Sequence, residues 1–102
     1  MPTIAGADIR KVVVACDAGM GSSVMLASQM RKRLKKYDVA VEHVAVNSIP
    51  SDAQVVLTQS SLAARAQGIA PDAVVVPFQM FMGDPAFDKV EAAIRDGGTL
   101  GA

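Results

Sequence analysis

The sequence contains very little of several residue types, and each shortage excludes a class of protein. It has one cysteine, one histidine and no tryptophan among 102 residues. A single cysteine cannot form an internal disulfide or a cysteine-rich structural zinc site, which favours the reducing cytoplasm as the compartment. Charge of one sign is not in excess either, because ten basic residues balance ten acidic ones. A protein without a basic excess is not expected to bind nucleic acid through its whole surface.

Long apolar runs are also missing. The longest are Val12 to Cys16, Val55 to Leu57 and Val74 to Val76, which are far shorter than the ~20 residues of a membrane-spanning helix. The first eight residues lack the basic and apolar segments of a secretory signal. We therefore expect a cytoplasmic protein that does not itself span the membrane. With 51% hydrophobic residues, a chain of this length can form one core and not two.

What is present is a pattern of short apolar runs that alternate with helical segments. The pattern predicts strands at 11–16, 39–46, 54–58 and 72–76, and helices at 22–37, 60–66 and from 84 to about 96. Serines should cap the second helix, which Gly68 and Pro71 close, and Asp84 and Pro85 should begin the last one. The alternation favours an α/β fold, a single doubly wound sheet of about four parallel strands with helices on both faces. We predict a domain at 11–96 between tails at 1–10 and 97–102, with both chain ends frayed.

The segment that carries chemistry runs from the end of the first strand into the first helix. It reads Cys16-Asp17-Ala18-Gly19-Met20-Gly21-Ser22-Ser23. Its glycines let backbone N–H groups converge, its serines add hydroxyls, and the helix N-terminus adds positive potential. We predict a loop that binds a phosphoryl group and favours the thiolate of Cys16, a nucleophile that could store that group on sulfur. The Asp17 carboxylate would repel such a dianion, so it should point away from the loop, toward local backbone.

Two chemistries could use this loop. Low-molecular-weight tyrosine phosphatases have a cysteine, five residues, an arginine and then a serine or threonine, whereas Ser22 stands here in the arginine's place. Without that guanidinium, hydrolysis of aryl phosphates is disfavoured. A phosphoryl carrier is the leading hypothesis, with a cysteine phosphatase and a non-catalytic anion-binding regulatory module as alternatives. We expect the carrier to need no metal or other cofactor, because backbone amides can neutralise the phosphoryl charge.

The chain resembles the IIB components of the bacterial phosphoenolpyruvate-dependent sugar phosphotransferase system, the mannitol type most of all. The resemblance is carried by residues 14–23, VACDAGMGSS, and is supported by 55–58, 62–66, Phe81, 85–88 and Val90. It implies a four-stranded parallel sheet similar to that of the low-molecular-weight phosphatases. It further implies that Cys16 accepts a phosphoryl group from a phosphohistidine of a IIA protein or domain. The acceptor would be a sugar or sugar alcohol bound by a membrane IIC component, with the chain docked at the inner face of the membrane.

Partner docking is expected at the rims around the loop. The candidates are Met20, Thr58, Gln59, Ser60, Gln79, Met80, Phe81 and Met82. Gln59-Ser60 stands where many mannitol-type members have a His-Arg pair. The basic run at 31–36 is interpreted as a solvated face that complements the helix dipole. His43 lies inside a predicted strand where nothing offers an anion pocket, so we do not expect it to accept the phosphoryl group.

Overall fold

A computed structural model describes residues 3–17, 21–80 and 83–101, with the side chains of 21–23 excepted. The strands are β1 (Thr3–Ala5), β2 (Lys11–Cys16), β3 (Ala40–Ala45), β4 (Val55–Gln59), β5 (Val74–Phe78) and β6 (Thr99–Gly101). The helices are α1 (Gly21–Leu34), α2 (Ala63–Ile69) and α3 (Pro85–Asp96). Short 3-10 turns lie at Gly6–Asp8, Lys35–Tyr37, Val46–Ser48 and Ser60–Leu62. No helix within these described ranges is long and apolar enough to cross a membrane.

The main sheet has four parallel strands in the order β3-β2-β4-β5. Helices cover both of its faces, and this explains why β2 is an almost continuous apolar run. Val12 and Val14 pack in one cluster with α1 and α3, whereas Val13 and Ala15 pack in another with α2. Because side chains alternate along a strand, Cys16 lies on the α1 face. The predicted α/β class, parallel sheet and covered faces are confirmed.

Several local expectations differ from the structure. Strand β5 continues through Pro77 to Phe78, which is tolerated because β5 is an edge strand and proline lacks only an N–H. The predicted serine caps on the second helix are wrong: Gln59 and Leu62 occupy the cap positions, without side-chain cap bonds. Gly68 lies inside α2 and does not close it. The start of α3 is confirmed, with Asp84 as N-cap and Pro85 at the first position.

The described parts of the two chain ends pair with each other. β1 and β6 form an antiparallel ribbon in which Ile4 is opposite Leu100, and Leu100 is buried in the core. Gly6 follows β1 and donates its N–H to the Gly98 carbonyl. The expectation of frayed ends is therefore wrong for 3–8 and 97–101, because two apolar side chains anchor the ribbon to the core.

The basic run is only partly a solvated face. Arg33 binds Glu91 and Asp88 of α3, with 2.7 Å from Nε to Glu91 Oε1 and 2.7 Å from Nη2 to Asp88 Oδ1. Burial disfavours its charge, but the bonds to Asp88 and Glu91 outweigh that effect and raise the pKa of Arg33. Arg31 Nε donates to the Val41 carbonyl of β3 at 3.0 Å. These two arginines therefore bind α1 to its neighbours.

Candidate functional site

Parallel strands bring the candidate residues to one edge of the sheet. The carboxyl ends of β2, β4 and β5 lie side by side in the strand order. Asp17, the turn at Ser60–Leu62 and residues 79–80 therefore follow at that edge. In open parallel sheets this is the edge at which ligands bind.

Cys16 ends β2 and is partly exposed. Its Sγ lies 3.3 Å from Nε2 of His43 and 3.8 Å from the carbonyl oxygen of Val44. The strand register creates this contact, because Val14 is opposite His43 and Cys16 is opposite Ala45 in the β2–β3 pair. Side chains two residues apart share a face, so the imidazole projects on the same face as the thiol.

The contact between Cys16 and His43 was not predicted. We expected nothing beside His43 that could bind an anion, yet the structure places it at hydrogen-bond distance from the thiol. A neutral imidazole with a free Nε2 lone pair accepts a hydrogen bond from Sγ–H, and an imidazolium donates one to a thiolate. Which residue of β2 lies opposite His43 depends on the register of the two parallel strands. The residue pattern does not reveal that register, so the contact could not be predicted from it.

Asp17 follows Cys16 and forms an ion pair with Arg65 of α2. The distance from Arg65 Nη1 to Asp17 Oδ1 is 3.3 Å, and the two side chains are 50% and 75% exposed. We expected this carboxylate to bond local backbone, whereas its partner is a guanidinium from the helix on the other face. The loop itself lacks an arginine, but the fold supplies one beside its first residues.

Thr58 was predicted in an exposed rim, and that placement is wrong. Thr58 is fully buried, and its hydroxyl donates to the Ala15 carbonyl at 3.0 Å. The described pairing of β2 with β4 ends at Val14 and Leu57. One residue beyond it on each strand, the Thr58 hydroxyl provides a donor for the buried Ala15 carbonyl. Thr58 therefore supports the residue before Cys16.

The remaining rim residues are accessible. Gln59 is partly exposed, Ser60 and Gln79 are exposed, and Met80 is 55% exposed. The Asp84 carboxylate fixes the segment after β5. Its Oδ1 accepts from the N–H of Ala86, and its Oδ2 accepts from those of Gln79 and Met80. These backbone hydrogen bonds, that from Ala86 most of all, lower the pKa of Asp84. Phe81 and Met82 lie outside the described residues.

The predicted phosphoryl-binding loop is only partly described. Gly21, Ser22 and Ser23 form the first turn of α1, while Ala18, Gly19 and Met20 lie outside the described residues. The anion-binding role of these six residues stays a prediction. The next turn of α1 exposes two apolar side chains that we had not singled out as surface: Val24 is 48% exposed and Met25 is 60% exposed.

The grooves described away from this edge contain neither Cys16 nor His43, and one of them is lined by basic side chains of 32–36 together with Glu91. A groove of about 560 Å³ lies between β5, α3 and β6. Its lining consists mainly of valine, alanine and glycine, with Gln67, Lys89 and Thr99 as polar side chains, and contains neither Cys16 nor His43. Within the described residues, no group of three or more His, Cys, Asp or Glu side chains could hold a metal ion. The chemistry is therefore best sought at the edge around Cys16.

Comparison with known proteins finds relatives over most of the chain. The family model described as "PTS system, Lactose/Cellobiose specific IIB subunit" matches residues 11–93. The chain is 40% identical over 84 residues to the mannitol-specific EIICB component of Bacillus subtilis (strain 168), which covers 80% of this chain and 18% of the relative. It is 44% identical over 85 residues to the mannitol-specific EIICB component of Staphylococcus saprophyticus, covering 80% of the chain and 17% of the relative. The chain thus spans less than a fifth of the length of these curated relatives.

Proposed function

Because the chain belongs to the family of PTS IIB subunits, we propose that it is a phosphoryl carrier of a sugar phosphotransferase system and that Cys16 holds the phosphoryl group. The observation that carries the proposal is the position of this thiol. It ends a central strand at the edge where parallel sheets bind ligands, directly before the segment that leads to the N-terminus of α1. Its partial exposure leaves sulfur accessible to a second protein.

The first half of the cycle is transfer from a IIA partner. The Cys16 thiolate attacks the phosphorus of a phosphohistidine on IIA, an S–P bond forms and the N–P bond breaks. The electron pair of the broken bond stays on the donor imidazole, which takes up one proton, while the thiol has given up one. The backbone amides from Asp17 to Ser23 would hold the phosphoryl oxygens during this exchange.

The second half delivers the group to a sugar. A hydroxyl of the sugar attacks phosphorus, its proton leaves, the S–P bond breaks and Cys16 returns as thiolate. The EIICB names of the relatives support a IIC component as the membrane-embedded partner that binds the sugar. The same names favour mannitol or a related sugar alcohol as acceptor. Such a carrier works at the cytoplasmic face of the membrane.

Docking to both partners would use the surface beside Cys16. We assign to it the accessible Gln59, Ser60, Gln79 and Met80, the apolar pair Val24 and Met25, and the predicted Met20, Phe81 and Met82. A net charge of zero suits the role, because strong overall attraction to one partner would slow its release and delay the encounter with the other.

Intact-mass measurement after incubation with a phosphorylated IIA donor tests the proposal. The wild type should gain one phosphoryl group, and Cys16→Ala should gain none. Ser51→Ala, which removes an exposed hydroxyl before the start of β4 and so at the opposite edge of the sheet, is the control and should still be phosphorylated. Phosphorylation of Cys16→Ala would overturn the assignment. Rapid hydrolysis of an aryl phosphate without a sugar acceptor would favour a cysteine phosphatase, and a folded chain that neither accepts nor hydrolyses would favour an anion-binding module.

A further inference from the structure

We propose that His43 is the proton acceptor for Cys16, so that in the unphosphorylated protein an imidazolium at position 43 holds the thiolate as an ion pair. The distance of 3.3 Å between Sγ and Nε2 is ordinary for a hydrogen bond to sulfur. This inference rests on the proposed function for its use in phosphoryl transfer. It adds a second source of thiolate stabilisation to the backbone amides that the sequence predicts for the loop.

Two of the groups beside the thiol can be compared as acceptors of its proton. The Val44 carbonyl is 3.8 Å from Sγ, and the His43 nitrogen is 0.5 Å closer (3.8 minus 3.3). A carbonyl cannot take up a proton at neutral pH, whereas an imidazole with an unperturbed pKa of about 6.5 can. Both side chains are only partly buried, so an imidazolium–thiolate pair retains contact with water. The cost of burying two charges is correspondingly reduced.

The charged side chains described near Cys16 and His43 are bonded to other groups. The proton exchanged between sulfur and nitrogen is therefore the main change of charge at this contact. From α1, Arg31 reaches β3 and donates to the Val41 carbonyl. After β2, the Asp17 carboxylate is already paired with Arg65 of α2. Glu42 lies on the opposite face of β3 and pairs with Lys11 at 3.1 Å.

The proton balance of the transfer step explains how the contact between Cys16 and His43 would serve phosphoryl transfer. Phosphorylation of Cys16 removes one proton from the thiol, and the released donor imidazole gains one. When Sγ–H passes its proton to Nε2, the S–H bond breaks, an N–H bond forms, and the pair stays neutral overall. Attack then forms the S–P bond and breaks the N–P bond of the donor, whose imidazole keeps the electron pair. The proton remains on His43 during this step and afterwards returns to solvent. The sulfur enters the reaction as a thiolate without waiting for a proton to leave for bulk water.

The pH dependence of Cys16 alkylation by iodoacetamide tests the proposal on the free, unphosphorylated protein. Only the thiolate reacts, so the rate reports its population. In His43→Asn and His43→Gln we expect the rate at pH values just below neutral to fall about tenfold or more, as expected when an opposite charge at contact distance is removed. The rates at alkaline pH should converge with that of the wild type, since all the thiol is then ionised.

Two controls separate this effect from a general disturbance. Glu42→Gln changes the neighbouring residue on the opposite face and should leave the alkylation profile unchanged. Urea unfolding of each variant shows whether the fold is retained. If a folded His43→Asn and a folded His43→Gln both keep the wild-type profile, the proposal is overturned. A rate that falls equally at all pH values would also overturn it, because that result indicates altered access to Cys16.

A second measurement observes the histidine itself. NMR of the imidazole nitrogens at neutral pH should show both of them protonated in the wild type, as the ion pair requires, and only one of them protonated in Cys16→Ala. The same nitrogen signals in both proteins would contradict the ion pair. Neither experiment needs a phosphoryl donor, so the proton-acceptor role can fail while the carrier function stands. The carrier function can also fail while the proton-acceptor role stands, since the ion pair can be present in a protein that IIA does not phosphorylate.

Discussion

Arg65 of α2 extends to the carboxyl end of β2 and pairs with Asp17, with 3.3 Å between Nη1 and Oδ1. The pair neutralises a carboxylate that lies one residue from Cys16, where a dianion is proposed to bind. Since both side chains are at least half exposed, the contribution of the pair to stability should be small, about 0–1 kcal/mol.

Loss of this pair should therefore affect phosphoryl transfer more than folding. Arg65→Gln leaves the Asp17 charge uncompensated, and one like charge near the reacting group costs on the order of 1 kcal/mol in a watery setting, about fivefold in rate. The double variant Asp17→Asn/Arg65→Gln should recover most of that loss. The check is the rate of phosphoryl transfer from IIA, measured by quenched-flow. Equal rates in all three proteins would show that the pair has no electrostatic role in transfer.

The buried hydroxyl of Thr58 should be required for stability. Thr58→Val removes the donor to the Ala15 carbonyl and leaves that acceptor buried and unsatisfied, which costs about 1–3 kcal/mol. Thr58→Ser keeps the hydroxyl and loses one methyl group, worth about 0.8 kcal/mol. Urea unfolding should rank the wild type above the serine variant and the serine variant above the valine variant. Valine as stable as the wild type would mean that the bond contributes nothing.

Stability should fall in acid partly through Asp84. Its pKa is lowered in the folded protein, so the unfolded chain binds the proton more tightly. The carboxylate therefore contributes fully above the unfolded-state pKa of about 3.9, and its contribution is lost as pH falls through the folded-state pKa. The urea midpoint of Asp84→Asn should be below that of the wild type at neutral pH, and the difference should shrink in strong acid. A difference in urea midpoint that does not change with pH would mean that Asp84→Asn acts through packing and not through the charge of the carboxylate.

The close approach of Gly6 to α3 predicts opposite effects at two glycines. A Cβ on Gly6 would overlap the backbone carbonyl of Ala93, whereas a Cβ on Gly68 would meet nothing within 4 Å. Gly6→Ala must displace the turn from the helix and should destabilise by about 1–3 kcal/mol. Gly68→Ala lies inside α2 and should stabilise by up to about 1 kcal/mol. Thermal unfolding of both variants checks the pair, and a neutral Gly6→Ala would contradict the tight packing.

The fold was largely predictable because its signals are local. The β-branched run at Lys11–Cys16, the four-residue spacing of Leu26, Met30 and Leu34, and Asp84 before Pro85 each reflect the structure of their own segment. The strand order was not predictable, since it depends on which strands β2 pairs with after each crossover. The terminal ribbon was missed because strands of three residues are shorter than any reliable alternation.

In the candidate site too, some residues can be recognised from the local sequence, and others are brought together only by the fold. Cys16 could be recognised from its own neighbours in sequence, the glycines and serines before and within the first turn of α1. His43 and Arg65 lie 27 and 49 residues further along the chain (43 minus 16 and 65 minus 16). They reach the site only through the register of β3 on β2 and through the packing of α2. Thr58 was misplaced for a related reason, since an inward hydroxyl and an outward one look alike in the sequence.

The central claim is that Cys16 carries the phosphoryl group, and its proximity to His43 makes the identity of the bonded atom the decisive question. Phosphorus-31 NMR after exchange with phosphorylated IIA answers it directly, since an S–P and an N–P bond resonate in separate regions. We predict an S–P signal in the wild type that is absent in Cys16→Ser and present in His43→Asn. An N–P signal that persists in Cys16→Ser and disappears in His43→Asn would contradict the account.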